Sequence, residues 1–290
     1  MPKPLIVITG KNGQLGWELE RLSLGYQDNF DFLFIGRAEL DLAHPSSIPS
    51  FFEKYTPSYF VNCAAYTAVD KAETEQETAF VINAESVGVI AQQCRKHHCT
   101  LISISTDYVF DGKGNKPYQP DTETNPVNYY GYTKWMGEKL ALLNNESTII
   151  IRTSWVYSMH GNNFVKTMLR LMKERPEIKV VNDQLGSPTY AADLANAIMQ
   201  MIISLEKGNK RYGIYHYSNE GIISWYDFAL AIRNITGSSC EVLPQETVAY
   251  PTPAKRPAYS VMDSSAVTND FGIVLHNWER SLAICLDRIA

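Results

Sequence analysis

The sequence has few cysteines and no long hydrophobic run. Its five cysteines among 290 residues are odd in number and scattered, and none has the CxxC spacing of a metal site. We therefore expect reduced thiols, and no zinc or other bound metal. No apolar stretch approaches the roughly 20 residues that cross a bilayer. The apolar N-terminal run is too short for a secretory signal, so we expect a cytoplasmic protein.

The sequence also lacks an excess of positive charge. It has 26 Lys and Arg against 31 Asp and Glu, which gives a formal net charge of −5. Nucleic acids attract basic surfaces, so we expect no nucleic-acid partner. Without an apolar run that could cross a bilayer, we expect no membrane partner either. Hydrophobic residues make up 45% and charged residues 20% of the chain, which indicates a globular protein rather than a disordered one.

The first half of the chain alternates short β-branched runs with amphipathic segments, which is the pattern of βαβ units. Apolar runs at 5–9, 32–36, 59–65, 100–106 and 148–154 predict strands. We predict an α/β fold, a Rossmann-type doubly wound parallel sheet with a smaller C-terminal α/β lobe. The rhythm changes after about residue 158. We therefore assign 1–158, with returning segments at about 188–220, to a dinucleotide-binding domain, and 159–187 and 221–290 to a substrate lobe.

A glycine-rich turn directly follows the first predicted strand. Gly10, Gly13 and Gly16 form a GxxGxxG motif between a strand and a helix. Glycine lets the backbone turn tightly and approach a pyrophosphate, while the N-terminus of the next helix offers free N–H groups to the anion. This context predicts a dinucleotide site, although the spacing differs from the GxGxxG of many dehydrogenases.

The second predicted strand ends in Gly36-Arg37. NAD-preferring proteins usually carry an acidic residue there, which accepts a hydrogen bond from the ribose 2′-hydroxyl. The guanidinium of Arg37 can instead pair with a 2′-phosphate, which favours NADPH, with NADH also usable. A solvated surface arginine is the open alternative. Asp41 and Leu42 lie just beyond and are expected to border the adenine.

A tyrosine and a lysine four residues apart predict the catalytic acid. Tyr130 and Lys134 lie on one face of a predicted helix, whereas Tyr129 and Tyr132 lack a lysine at that spacing. A nearby ammonium stabilises a phenolate and lowers its pKa. The tyrosine can then exchange a proton with a substrate oxygen during hydride transfer. A tyrosine and a lysine at this spacing are common by chance. The glycine motif upstream makes this pair a strong indication of a catalytic site.

A third polar group should orient the substrate carbonyl. Residues 103–108 cover the end of the strand predicted at 100–106 and the start of the next loop. They supply hydroxyl groups at the predicted carboxyl edge of the sheet. We select Thr106 because it opens the loop after the strand. Ser105 is the competitor, and strand alternation predicts that it points the other way.

These motifs together resemble the extended short-chain dehydrogenase/reductase family. More narrowly, five segments are similar to dTDP-4-dehydrorhamnose reductases: AVDKAE (68–73), STDYVFDG (105–112), YGYTK (130–134), RTSWVY (152–157) and NDQLGSPT (182–189). The resemblance covers nearly the whole chain and weakens after about residue 236. It implies a nucleotide-sugar substrate and the NADPH- or NADH-dependent reduction of the 4-keto group of dTDP-4-dehydro-L-rhamnose to dTDP-L-rhamnose.

The resemblance also implies roles for particular residues. Tyr130 would be the proton donor, and Lys134 would be its partner and would also contact the nicotinamide ribose. The pyrophosphate would meet Gly13, Gln14 and Leu15, and the cofactor would be lined by Ala64, Ala65 and Thr67. The sugar would contact Thr106, Asp107 and Trp155, and Arg256 can pair with the diphosphate.

Three alternatives stay open from the sequence. A dehydratase or epimerase on the same scaffold is one, although Tyr108 stands where the dehydratases carry a glutamate. A non-catalytic NADP-binding regulatory subunit is another. Monomer and homodimer also stay open, because Tyr190-Ala-Ala192 lacks the acidic residue through which some members dimerise around a metal.

Overall fold

The computed structural model describes residues 2–289, which form twelve strands and eleven α-helices. In chain order the strands are β1 (Leu5–Thr9), β2 (Asp31–Ile35), β3 (Tyr59–Asn62), β4 (Thr100–Thr106), β5 (Thr148–Thr153), β6 (Val156–Tyr157), β7 (Glu177–Val181), β8 (Leu185–Gly186), β9 (Thr189–Tyr190), β10 (Gly213–His216), β11 (Ile223–Ser224) and β12 (Glu241–Gln245).

The helices are α1 (Gln14–Ser23), α2 (Ile48–Tyr55), α3 (Val69–Ala72), α4 (Gln76–Phe80), α5 (Ser86–Lys96), α6 (Tyr129–Asn144), α7 (Phe164–Glu174), α8 (Ala191–Glu206), α9 (Trp225–Thr236), α10 (Ser265–Phe271) and α11 (Trp278–Ile289). A π-helical segment, Val81–Glu85, joins α4 to α5. No helix within residues 2–289 is both long and apolar enough to cross a bilayer.

Six strands form the central sheet in the order β2-β1-β3-β4-β5-β10, and all of its pairings are parallel. The chain moves outward from β1 to β2 and then crosses to β3 on the other side of β1. The strand order therefore reverses between β1 and β3. In open α/β sheets, ligands bind at the carboxyl edge of such a reversal point.

Side chains that alternate along the strands bury both faces of the sheet. Ile6 and Ile8 pack with α1 and α8 on one face, and Val7 packs with α2 and α5 on the other. Each of these three strand side chains is at most 1% exposed. Burial on both faces explains why the strands read as continuous apolar runs, and the predicted doubly wound sheet is confirmed.

A separate hydrophobic core lies in the later part of the chain. Helices α7, α9 and α11 pack there with strands β7 and β12, which pair in parallel from Glu177–Glu241 to Val181–Gln245. Phe228 and Leu282 are fully buried in this core. The division of the chain into two domains at the residues given above stays a prediction.

The short strands β8 and β9 lie just before α8, which begins at Ala191. The helical region from Gln76 to Lys96 is interrupted by the π-helical segment Val81–Glu85. That segment packs against α6, where a Cβ on Gly137 would collide with the carbonyl oxygen of Asn83.

Candidate active site

A cleft of about 970 Å³ lies at the carboxyl edge of the central sheet, at the reversal point. It joins the glycine loop after β1, the loops after β2 and β3, the end of β4 and the first turns of α6. Fifteen of the predicted site residues line it: Gly10, Gly13, Gln14, Leu15, Arg37, Asp41, Leu42, Ala64, Ala65, Thr67, Thr106, Asp107, Tyr130, Lys134 and Trp155. Gly16 and Arg256 are not among the lining residues.

The glycine loop has the tight geometry that a dinucleotide cradle requires. Gly10 has a φ of +73°, and a Cβ there would lie 3.0 Å from the carbonyl carbon of Cys63 and from the amide nitrogen of Ala64. Gly16 packs the first turn of α1 onto the loop, because a Cβ at Gly16 would collide with the carbonyl oxygen of Gly10. The backbone is thus open toward the cleft in front of a helix N-terminus, and these residues fit a pyrophosphate.

Hydrogen bonds fix the loop after β3 that forms the next part of the wall. Thr9 Oγ1 donates to Asn62 Oδ1 at 2.7 Å and accepts from the amide of Ala64 at 3.0 Å. The side chain of Asn83 bonds both backbone groups of Tyr66, accepting from its N–H at 2.9 Å and donating to its carbonyl at 3.0 Å. These contacts hold Ala64 and Ala65 in place beside the glycine loop.

Two side-chain ion pairs lie at the end of β2, where the adenosine ribose would bind. Arg37 is 81% exposed, and its Nε lies 3.9 Å from Oδ1 of Asp41. Lys11 Nζ lies 2.6 Å from Oε1 of Glu39. Lys11 and Glu39 were not selected from the sequence. Glu39 lies two residues after Arg37, so its position after the second strand was an available signal.

The first turn of α6 presents the tyrosine and the lysine to the cleft. Asn128 caps this helix, accepting from the amide of Gly131 at 2.8 Å. Lys134 is buried, and its Nζ donates to the carbonyl oxygen of Ile104 at 2.6 Å. Burial lowers the pKa of Lys134 to about 8, and the negative charge of Glu138 acts in the opposite direction.

Burial raises the pKa of Tyr130 well above its usual range, and the nearby carboxyl group of Asp107 acts in the same direction. Thr106 partly offsets this rise as a hydrogen-bond partner. The sequence predicted that Lys134 lowers this pKa. In the structure its ammonium group is engaged by Ile104, and the effect of burial dominates. Tyr130 therefore keeps its proton at neutral pH, which a proton donor requires.

Thr106 and Asp107 stand together at the end of β4. Thr106 Oγ1 donates to Asp107 Oδ1 at 2.9 Å, and Oδ2 of Asp107 lacks a hydrogen-bond partner within residues 2–289. Burial raises the pKa of Asp107 to about 7. Ser105, the competitor for the role of Thr106, donates its hydroxyl hydrogen to the buried carboxylate of Glu138 at 2.5 Å.

Below the cleft lies a buried ion pair that the sequence analysis missed. Arg152 donates to Glu138 twice, from Nη2 to Oε2 at 2.7 Å and from Nε to Oε1 at 2.9 Å. The two side chains are only 2% and 3% exposed. Glu138 lies one helical turn after Lys134, so this pair joins α6 to β5 directly beneath the catalytic candidates. A glutamate at that spacing was visible, but its partner 14 residues later was not.

Two stacked tryptophans form an aromatic wall of the cleft. The rings of Trp155 and Trp225 are 3.6 Å apart between centroids and 14° from parallel. Trp155 has a φ of +49°, a left-handed conformation that turns the chain sharply after β5. Trp225, at the start of α9, was not selected from the sequence. It comes from a segment 70 positions later, so only the fold brings it to the site.

Arg256 lies outside the cleft lining and is paired with an acidic residue. Its Nη2 lies 3.0 Å from Oδ2 of Asp70, and its Nη1 donates to the carbonyl oxygen of Ala254 at 3.2 Å. Asp70 also accepts from the amide of Ala254 at 3.1 Å. In this arrangement Arg256 ties the segment near 254–256 to α3. Its predicted pairing with a diphosphate stays a prediction.

No group of three or more His, Cys, Asp or Glu in residues 2–289 is arranged to hold a metal ion. The groups that the cleft does present are a phenol, a buried amine, a carboxyl group and an open backbone cradle.

Comparison with known proteins agrees with this arrangement. The family described as "RmlD substrate binding domain" matches residues 4–290. A dTDP-4-dehydrorhamnose reductase of Aggregatibacter actinomycetemcomitans is 39% identical over 284 residues, covering 96% of each chain.

Two solved structures are similar over almost the whole length. A dTDP-4-dehydrorhamnose reductase of Clostridium acetobutylicum has a TM-score of 0.93 at 39% identity, covering 98% of this chain and 99% of its own. The corresponding protein of Bacillus anthracis, solved in complex with NADP, has a TM-score of 0.92 at 38% identity. That match covers 99% of this chain and 100% of its own. On this similarity, with the cleft and its tyrosine–lysine pair, the chain belongs to the dTDP-4-dehydrorhamnose reductase family.

Proposed function

We propose that this chain reduces the 4-keto group of dTDP-4-dehydro-L-rhamnose to give dTDP-L-rhamnose, with NADPH as the hydride source and NADH as a possible substitute. The observation that carries the proposal is the single cleft that joins the glycine loop to Tyr130, Lys134 and Thr106. A cofactor bound along the loop and a keto-sugar bound beside Tyr130 would meet within it. The names and the NADP complex of the relatives support this substrate and this cofactor.

The chain's own residues would hold the dinucleotide at several points. The backbone of Gly10 to Leu15 and the N-terminus of α1 bind the pyrophosphate, and Ala64, Ala65 and Thr67 line the path toward the nicotinamide. Lys134 binds the nicotinamide ribose. When bound, the cofactor supplies the hydride, and the protein supplies its orientation and the proton.

Tyr130 donates the proton to the sugar oxygen as the carbonyl is reduced. Its raised pKa keeps the phenol protonated until the oxygen gains negative charge. Lys134, whose ammonium group is buried beside the cleft, stabilises the phenolate that forms. The hydroxyl of Thr106 orients the carbonyl oxygen next to Tyr130.

The sugar is held between polar and apolar groups. Asp107 lines the cleft beside Thr106, where its carboxyl group can bond a sugar hydroxyl. The stacked rings of Trp155 and Trp225 offer an apolar surface to the ring and methyl group of a 6-deoxyhexose.

The test is oxidation of NADPH in the presence of enzymatically generated dTDP-4-dehydro-L-rhamnose, with the sugar product identified. We expect Tyr130→Phe to lower turnover by about 10²-fold or more, because it removes the proton donor. Its affinity for NADPH should change little, since the aromatic ring stays in place. Near-normal turnover of this variant would contradict the role of Tyr130.

The same assay separates the alternatives. NADPH binding without oxidation would contradict the proposed substrate, and other 4-keto sugars would then be tested. NADPH binding without turnover of any keto-sugar would favour a regulatory NADP-binding protein.

A further inference from the structure

The ion pair of Lys11 and Glu39 lies against one glycine, Gly36, that lines the cleft. Glu39 accepts the amide hydrogen of Gly36 at Oε2, at 2.8 Å, while its Oε1 lies 2.6 Å from Lys11 Nζ. A Cβ on Gly36 would lie 3.3 Å from Cε of Lys11 and 3.6 Å from Nδ2 of Asn12. Side chains from two loops therefore surround the same point.

This point is where the adenosine ribose of a dinucleotide lies in folds of this kind. When the residue after the second strand is acidic, it accepts a hydrogen bond from the 2′-hydroxyl of NAD. When that residue is arginine, it can pair with the 2′-phosphate of NADP. The glycine loop is joined to this strand end, because the amide of Lys11 donates to the carbonyl oxygen of Ile35 at 3.2 Å. Lys11 and Glu39 are not among the lining residues themselves, but both are held against Gly36, which is.

The charges at this position cancel. Lys11 is paired with Glu39, and Arg37 lies within 4 Å of a carboxylate oxygen of Asp41. A 2′-phosphate carries nearly two negative charges at neutral pH. It must therefore draw Lys11 away from Glu39, against the repulsion of that carboxylate. A 2′-hydroxyl meets no such repulsion and can donate to a carboxylate oxygen.

We propose that Glu39 sets the balance between NADPH and NADH by holding Lys11 in an ion pair beside the ribose position. Arg37 is then one of two cations available to a 2′-phosphate, and Lys11 is the one that Glu39 controls. The inference rests on the proposed function only in requiring that a nicotinamide dinucleotide binds in the cleft. It concerns binding and does not depend on the identity of the sugar.

The test is equilibrium binding of NADPH and NADH to the Glu39→Gln variant of the full chain. Glutamine keeps an acceptor for the Gly36 amide but loses the charge, so the loop should keep its shape. The dissociation constant for NADPH should fall by about five-fold, the size expected when one partly exposed ionic interaction changes. The constant for NADH should stay the same or rise slightly. The gain should shrink at high salt, because exposed charges are screened.

A matched control is Glu53→Gln. Glu53 also pairs with a lysine, Lys96, at 3.3 Å on the surface, but this pair joins α2 to α5 and not the loops that follow β1 and β2. This variant should leave both dissociation constants unchanged. A second control is Lys11→Met, which should weaken NADPH binding and abolish the effect of Glu39→Gln when the two are combined.

Two results would overturn the proposal. One is an equal change of NADPH and NADH binding in Glu39→Gln. The other is an undiminished gain for NADPH in the background that lacks Lys11. Either result leaves the proposed reductase activity untouched, whereas failure of that activity with normal dinucleotide binding would leave this inference intact.

Discussion

The two ends of the cleft use the same kind of interaction in opposite environments. At the ribose end, Lys11 and Glu39 form an ion pair whose side chains are 30% and 43% exposed. Beneath the catalytic end, Arg152 and Glu138 form one at 2% and 3% exposure. Water screens the first pair and lets it exchange partners, so it can tune ligand choice. In the buried pair, no water can replace a lost partner, so breaking it is costly. The pair therefore holds α6 and β5 together.

The largest expected effect comes from breaking the buried pair. Glu138→Ala leaves the Arg152 guanidinium buried and unpaired, and the free energy of unfolding should fall by about 3–5 kcal/mol. Glu39→Ala, the matched change in the exposed pair, should alter it far less, because water screens that pair. Urea denaturation of both variants measures the contrast.

The double variant Glu138→Leu/Arg152→Met is the control for this contrast. It removes both charges together, so much of the lost stability should return. If Glu138→Ala and Glu39→Ala lowered the free energy of unfolding equally, the proposed difference between the buried and the exposed ion pair would be wrong.

The next effect concerns the pH dependence of stability at the catalytic end. Burial raises the pKa of Asp107 to about 7, from its usual 3.8. Between these two pH values, Asp107 is therefore protonated in the folded protein and ionised in the unfolded chain. The resulting stability is fully present below about pH 4 and is lost as the pH rises through about 7.

Asp107→Asn should remove this pH dependence. The quantity compared is the free energy of unfolding of the variant minus that of the wild type. This difference should be about 2–4 kcal/mol larger at pH 8 than at pH 4, in favour of the variant. Other titrating groups cancel in the difference between the two proteins. Unfolding of both at the two pH values measures it, and a constant difference would show that Asp107 does not titrate in this window.

The smallest of these effects is expected at the aromatic wall. Trp225→Ala removes the partner of Trp155 and part of the apolar surface, and KM for the nucleotide-sugar should rise by about ten-fold. Because Trp225 stacks on Trp155 and supplies no proton, kcat should change less than KM. Trp225→Phe keeps an aromatic ring and should recover most of the affinity. A fall in kcat alone would place Trp225 in the chemical step instead.

The central sheet could be predicted because each of its strands is a local pattern. The run Leu5–Thr9 is buried on both faces, so it appears in the sequence as continuous apolar residues. The glycine loop and the pair Tyr130 and Lys134 were visible for the same reason. Each lies within one turn or one loop, where spacing along the chain fixes the spacing in space.

Contacts between distant segments could not be read in this way. Trp225 reaches Trp155 only after α9 packs into the second core, and Arg152 meets Glu138 only when β5 lies under α6. The pKa of Tyr130 is another case. From the spacing, Lys134 was expected to lower this pKa, whereas burial and Asp107 raise it.

The sequence by itself determined the fold class and the family, and it supplied the candidates for the chemistry, because all three depend on residues close together in the chain. Only the tertiary structure decided which charges are buried, which are screened and which aromatic rings meet. The physical reason is that the strength of an ionic or aromatic contact depends on its distance and its solvent exposure, and both are set by packing between segments far apart in sequence.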